Sequence, residues 1–348
     1  MELSDLLRCP ACGGPLDHSP ARGARSPDAL SCPPCGRRYE VVHGIPDFRP
    51  DPPDGPRHGE LCLEVMRRWP HSSYRELWAL CHPAEADALR RLWLEHEERA
   101  PERGERRWDQ IALSIQAAGR PLPADGVALD VGCGMGSALF ALARRARLAV
   151  GLDILLTDLL LAKKRFAEAG IGNAAFVCGS ALELPFGGER FDLLNATDVV
   201  EHLPDQARFL AEARRVLRPG GSFFFNSPNR FTLLTREPHV RLWGVGWLPR
   251  RWMEPYVRWR LGKPYRSKRL LSVFELRRLL RAQFGRDFAI RAFLPRCPVA
   301  RAMTRPLEAL ARPLLPQHNV LAWKPRPSPA PGTRPGAGLT PPPGGGRL

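Results

Sequence analysis

Lysine is scarce in this chain: five of 348 residues, against 47 arginines. The formal charge of +16 is therefore almost wholly arginine. Proline, glycine, alanine and arginine are enriched together, as codons rich in G and C would make them. Part of the basicity is coding bias, and net charge speaks to solubility and loose attraction rather than to function. No apolar run approaches the ~18–20 residues of a membrane span, which excludes a channel. The first residues carry two acids and no basic stretch, so no secretory leader is expected. A disulfide framework is missing too. Of nine cysteines, four form two C-x-x-C pairs and five are scattered (Cys62, Cys81, Cys133, Cys178, Cys297). That pattern suits a reducing, cytoplasmic compartment and one metal site. Any membrane attachment is expected to be peripheral.

What is present is organised in blocks. Residues 1–48 read as one small unit and 49–60 as a linker rich in Pro, Asp and Gly. Residues 61–120 read as helices, with Leu61, Val65, Leu77, Leu80, Leu89, Leu92, Ile111 and Ile115 near helical spacing, as a lid or connector. From 121 to 325 strand and helix alternate, which predicts an α/β domain with a mostly parallel sheet covered on both faces. Strands are expected at 127–130, 148–153, 174–179, 191–197 and 222–226, with two closing strands at 289–294 and 320–323. A helix over 205–217 is expected to start at Asp205 and stop at Pro219-Gly220-Gly221. Another follows the capping box Ser272/Glu275. Residues 326–348 are low-complexity and expected to be disordered.

Cys9-Pro-Ala-Cys12 and Cys32-Pro-Pro-Cys35 are two knuckles separated by 19 residues. Each short turn presents two thiolates to one ion, and four thiolates make a closed tetrahedral zinc site with a structural role. The Cys spacing and the ending Gly44-Ile45-Pro46 make residues 5–48 similar to the Trm112-like zinc ribbons. That resemblance implies a module that partners, or is fused to, a methyltransferase.

Leu129-Asp130-Val131-Gly132-Cys133-Gly134-Met135-Gly136 stands at a strand end and opens a helix. Its glycines permit a tight turn and close approach of a ligand. Exposed N–H groups and the helix start are expected to favour an anionic group. Asp153, ending the next strand, offers a carboxylate to ribose hydroxyls. The spacing G-x-G-x-G with an acid before it suits S-adenosylmethionine (SAM) better than a dinucleotide, which needs room for a pyrophosphate. These residues resemble the class I SAM-dependent methyltransferases. So do Gly179-Ser180-Ala181, Leu184-Pro185-Phe186, Phe191-Asp192-Leu193, Val200-Glu201-His202-Leu203 and Leu217-Arg218-Pro219-Gly220-Gly221. The resemblance is close over 125–230. It implies a Rossmann-like seven-stranded sheet, SAM as cofactor, and cofactor contacts from Asp130, Gly132, Gly134, Gly136, Asp153, Ile154, Ser180, Ala181 and Thr197. Ser180 stands where many relatives carry Asp for the adenine amine.

Asp198, Glu201 and His202 follow the fourth strand of that sheet, at the edge where ligands bind. His202 is the natural base for an oxygen or nitrogen acceptor. The segment resembles the ubiquinone-pathway O-methyltransferases, which implies acids and His placed near substrate and able to hold a divalent cation; capping of the next helix is the structural alternative for Glu201 and His202. Asn229 and Arg230 are candidate substrate contacts. Residues 230–271 hold eleven Arg and Lys against two acids, interleaved with Trp243, Trp247, Trp252, Tyr256, Trp259 and Tyr265. An anionic lipid surface, single-stranded RNA, or a lid on its own core all fit that composition. The expected activity is methyl transfer to O or C of a small-molecule or lipid-linked acceptor. An RNA methyltransferase with a zinc module and a non-catalytic scaffold, in which the ribbon binds a protein partner, are the rivals. No Asn/Asp-Pro-Pro-aromatic motif for amine recognition is present.

Overall fold

The computed structural model describes residues 2–19, 28–50, 57–83, 87–232, 234–265, 268–292 and 312–326. The expected tail beyond 326, the centre of the linker, Arg266 and Cys297 lie outside them.

The N-terminal unit opens with a short helix, α1 (Leu3–Leu6). A four-stranded antiparallel sheet follows: β1 (Asp17–Ser19), β2 (Ala29–Ser31), β3 (Arg38–Val42) and β4 (Ile45–Pro46). Four helices come next: α2 (Glu60–Arg68), α3 (Tyr74–Cys81), α4 (Asp87–Glu98) and α5 (Ala100–Ala117). Of the apolar positions expected to face inward there, Val65, Leu77, Ile111 and Ile115 are buried, but Leu61 and Leu92 are exposed.

The α/β domain runs β5 (Val127–Val131), α6 (Ser137–Ala143), β6 (Leu148–Asp153), α7 (Leu156–Glu168), β7 (Ala174–Cys178), β8 (Phe191–Thr197), α8 (Gln206–Val216), β9 (Leu217–Pro228), α9 (Arg250–Leu261), α10 (Val273–Phe284), β10 (Phe288–Ala292) and β11 (Gln317–Trp323). Its seven strands lie in the order β10-β11-β9-β8-β5-β6-β7. The five from β5 to β9 are mutually parallel, and β11 runs antiparallel between β9 and β10. Asp205 caps α8 by accepting from Arg208 N at 2.9 Å. Ser272 and Glu275 form the capping box of α10. One boundary differs. Pro219-Gly220-Gly221 lies inside β9 rather than before it, because Leu217 already pairs with Phe191. Gly220, at φ +88°, makes an irregularity in the strand and donates to Lys324 O at 2.7 Å.

Alternate residues of each central strand feed two cores, one on each face. Ala128, Ala149, Leu193 and Phe224 pack with α5, α6 and α7, and α2 and α3 lie over α7. Leu129, Val150, Leu194 and Phe225 pack with α8 and α10. The second core also takes in Leu6, Leu7, Tyr39 and Phe48 of the N-terminal unit. That unit is therefore built into the domain. After β4 the chain runs beside β7, the outer strand of the large sheet: Asp47 bridges Cys178 and Phe48 N donates to Cys178 O at 2.8 Å. This covers an edge that would otherwise be open to pairing. No helix among the described residues is long and apolar enough to cross a membrane.

Candidate functional site

The loop from β5 to α6 is shaped by Gly132, Gly134 and Gly136, at φ +70°, +49° and +84°. Side chains at 132 and 136 would also collide: a Cβ would stand 2.4 Å from Val199 and 2.7 Å from Phe166. At Gly134 it would meet open space. Four amides of the loop, where an anion cradle is expected, are bonded within the protein. Gly132 N and Cys133 N donate to Leu152 O, Gly136 N to Cys133 O, and Gly134 N to Asp153 Oδ2 at 2.8 Å. Asp153 Oδ1 accepts from Leu155 N at 2.9 Å. Asp153 thus ties the loop to the end of β6. Each of its oxygens keeps one further acceptor position.

Asp130 is 2% exposed. Its register partner across β5 and β8 is Asn195, whose amide donates to Oδ1 at 2.6 Å. Oδ2 is buried without a protein partner. Burial pushes this carboxyl up to about 7, against the pull of Asn195 and the Arg107 charge. Such an oxygen calls for a ligand donor or ordered water. Arg107, on α5, donates to Gln110 Oε1 at 3.0 Å and to Asp198 Oδ2 at 3.3 Å. Arg103, one turn earlier, donates to Ser137 Oγ at 3.0 Å. Sequence reasoning missed these two arginines. Gly104 between them was the available signal, because a helix interior tolerates Gly poorly unless backbone passes close. Ser137 O does: a Cβ on Gly104 would stand 2.3 Å from it.

At the carboxyl end of β6, Ile154 is exposed. Ser180 Oγ accepts from Leu182 N at 3.1 Å, and Ala181 beside it is half-buried. Thr197 donates to Asn195 Oδ1 at 3.0 Å. Asp198 is exposed at φ +56° with its N–H on Asn226 Oδ1. Glu201 is buried; Oε2 has no protein partner and burial pushes the carboxyl up to about 7. His202 is brought down to about 4 by burial and by Lys268, whose ammonium donates to Nδ1 at 2.6 Å. Ser227 and His318, register partners on β9 and β11, also keep buried polar atoms without protein partners.

Asn229 and Arg230 are not free to meet a substrate. Asn229 Nδ2 donates to Pro313 O and Leu315 O, and its Oδ1 accepts from Phe231 N. Arg230 donates to Gly246 O and Leu248 O. Both anchor the 230–271 insertion. Lying just past β9, they are placed where that segment must be tied down. The insertion has its own small core of Val245, Met253, Val257 and Tyr265. Trp252 and Trp259, at i and i+7 on α9, face outward at 55% and 76% exposure.

The four cysteines come together: Cys9 and Cys35 Sγ lie 3.7 Å apart, Cys12 and Cys32 Sγ 3.4 Å apart, and all four sulfurs within 4.8 Å. A tetrahedron with Zn–S of about 2.3 Å has edges of about 3.8 Å, so the thiols fit that ion.

Residues 129–225 match the family model described as a methyltransferase domain. The chain carries a methyltransferase domain. Residues 2–44 match the model described as Trm112p-like protein. Over 138 residues the chain is 38% identical to a ubiquinone biosynthesis O-methyltransferase of Methylobacterium nodulans, covering 38% of this chain and 53% of that protein. Over 128 residues it is 34% identical to the enzyme of that name from Parvibaculum lavamentivorans, covering 35% and 48%. The chain thus spans about half the length of these relatives. Among solved structures, it is similar to a phosphoethanolamine N-methyltransferase 2 of Haemonchus contortus in complex with SAM. That match has 17% identity and a TM-score of 0.44, covering 63% of this chain and 52% of that one. The methyltransferase domain accounts for β5 to β9, and with them for the glycine loop, Asp153 and the Glu201 turn.

Proposed function

We propose that this protein transfers the methyl group of SAM to an oxygen of a small-molecule or lipid-linked acceptor. One observation carries the choice of cofactor: Asp130 Oδ2, buried and unpartnered behind a loop whose Gly132, Cys133, Gly134 and Gly136 amides are already bonded. A pyrophosphate would meet a carboxylate and spent donors there. An ammonium group would meet the acceptor it needs. When bound, SAM supplies a methyl group on a sulfonium centre.

In this reading Asp130 takes the ammonium of the amino-acid end, and Arg107 its carboxylate. Asp153 takes the ribose hydroxyls with its remaining acceptor positions. Ile154, Ser180 and Ala181 border the adenine, and Thr197 and Asp198 line the floor toward the acceptor. Glu201, Ser227 and His318 offer unpartnered polar atoms for the polar head of the acceptor. The choice of an oxygen acceptor is supported by the likeness to O-methyltransferases. Zinc in the four-cysteine site holds the ribbon, and the partner of the ribbon is its own methyltransferase domain, in whose core Leu6, Leu7 and Phe48 are buried. The outward Trp252 and Trp259, with the arginines of α9, suit the headgroup level of an anionic bilayer, reached from the cytoplasm.

The test is a calorimetric titration of the zinc-loaded protein with S-adenosylhomocysteine (SAH), with NADH as control. One-to-one binding of SAH alone is expected. Binding of NADH, or of neither by folded protein, overturns the reading.

A further inference from the structure

We propose that His239 takes the proton from the acceptor hydroxyl, with Glu237 holding its ring. This rests on the methyl-transfer reading above.

Glu237-Pro238-His239 lies in the insertion, far in sequence from the methyltransferase motifs. Glu237 is 3% exposed. Its Oε2 accepts from His239 N at 2.8 Å and Val240 N at 2.7 Å, and its Oε1 from Tyr265 OH at 3.1 Å. The same Oε1 lies 2.6 Å from His239 Nδ1. A carboxylate accepts only, so Nδ1 carries the hydrogen and Nε2 keeps its lone pair. Although burial opposes it, the bonds from His239, Val240 and Tyr265 hold Glu237 below the usual carboxylate range. It therefore faces the Nδ1–H of the imidazole as an anion and fixes the ring's orientation.

The ring stands beside Glu201 and His202 of the candidate site. His239 and His202 are 5.1 Å apart, edge to face. One side-chain donor atom each of Glu201, His202 and His239 lies within 4.8 Å of the others. The end of the insertion is fastened at the same place: Arg269 N donates to Glu201 O at 2.7 Å. His202 is oriented the opposite way. Lys268 donates to its Nδ1, so the neutral ring carries its hydrogen on Nε2 and has no free lone pair. A metal ion among the three would face the Lys268 ammonium, which disfavours it.

In the step, the hydroxyl proton passes to His239 Nε2 as the oxygen lone pair forms the O–CH3 bond. The C–S bond breaks with its electron pair on sulfur. The imidazolium then returns its proton to water. His239 is a catalytic residue in this assignment and Glu237 a positioning residue.

The probe is 4-nitrophenol, whose phenolate absorbs in the visible. Added to SAH-loaded protein at pH 6, it is expected to show more phenolate than in buffer. His239→Gln should lower the ratio of bound phenolate to bound phenol about tenfold, the equivalent of one pKa unit. Glu237→Gln should cut it several-fold while SAH binding and circular dichroism stay as in the parent. Nitrogen NMR of histidine-labelled protein should show His239 with hydrogen on Nδ1. An unchanged nitrophenol spectrum with SAH bound overturns this proposal and leaves the cofactor reading standing. So does hydrogen on Nε2, or a phenolate signal that appears only after a divalent cation is added. Failure of SAH to bind the parent overturns the methyl-transfer reading itself.

Discussion

Gly104→Ala tests whether α5 is a wall of the cofactor site. In an ordinary helix interior this change stabilises by about 1 kcal/mol, since Ala is the better helix former. Here the new Cβ would stand 2.3 Å from Ser137 O and 3.5 Å from Ala141 N, both backbone atoms of α6. Neither atom can swing aside as a side chain would. Either α5 or the start of α6 must shift by most of an ångström. Overpacking of this kind costs about 1–3 kcal/mol, so the propensity gain is cancelled or exceeded by up to about 2 kcal/mol. Thermal unfolding should show a midpoint unchanged or lowered by several degrees. The larger effect should be on ligand. Arg103 and Arg107 flank residue 104, and Ser137 follows Gly136. Displacing them together should weaken SAH by about tenfold or more, roughly the loss of one charge-assisted hydrogen bond. Gly172→Ala, where a Cβ meets nothing within 4 Å, is the control. A Gly104→Ala protein that melts higher and binds SAH as before would refute the close approach of the two helices.

Other outcomes follow from the same geometry. Below about pH 7 Asp130 holds a proton, and a cationic ligand end needs it ionised, so SAH affinity should fall as pH drops through 7 and flatten above it. Asp130→Asn should remove that step in calorimetry and weaken binding about tenfold or more. Without ligand the sign is reversed for stability: the folded value lies above the ordinary 3.8, so this group lowers stability as pH rises from 3.8 to about 7. Stripping zinc with a chelator should lower the melting temperature of the whole chain in one transition, because Leu6, Tyr39 and Phe48 belong to the shared core. SAH affinity should drop with it, since Arg49, ion-paired to buried Asp47, donates to Ile154 O at 3.4 Å. A separate low-temperature transition with unchanged SAH binding would contradict this. Trp252→Ser with Trp259→Ser should reduce sedimentation with phosphatidylglycerol vesicles several-fold and leave phosphatidylcholine vesicles unbound. Binding to single-stranded RNA instead, with a steep salt slope, would favour nucleic acid as the partner.

The sequence alone carried what depends on neighbours in the chain. Two C-x-x-C knuckles, the Asp130 to Gly136 loop, the Asp205 and Ser272 caps and the five parallel strands all follow from spacing, periodicity and local backbone demands. It erred where a local signal had a distant cause. Asn229 looks like a substrate contact because it follows a strand end, yet Pro313 and Leu315 engage its amide. Leu61 and Leu92 keep helical spacing, but the tertiary packing leaves them exposed.

Tertiary structure decided the rest. It placed Arg107 of α5 against Asp198, 91 residues on, by way of a glycine that only a second helix explains. It ran the ribbon along β7. It set His239 beside His202 by closing an insertion on its own small core. Hydrogen-bond direction, burial and charge at these points depend on groups tens of residues apart, and no periodicity in one chain encodes which of them meet.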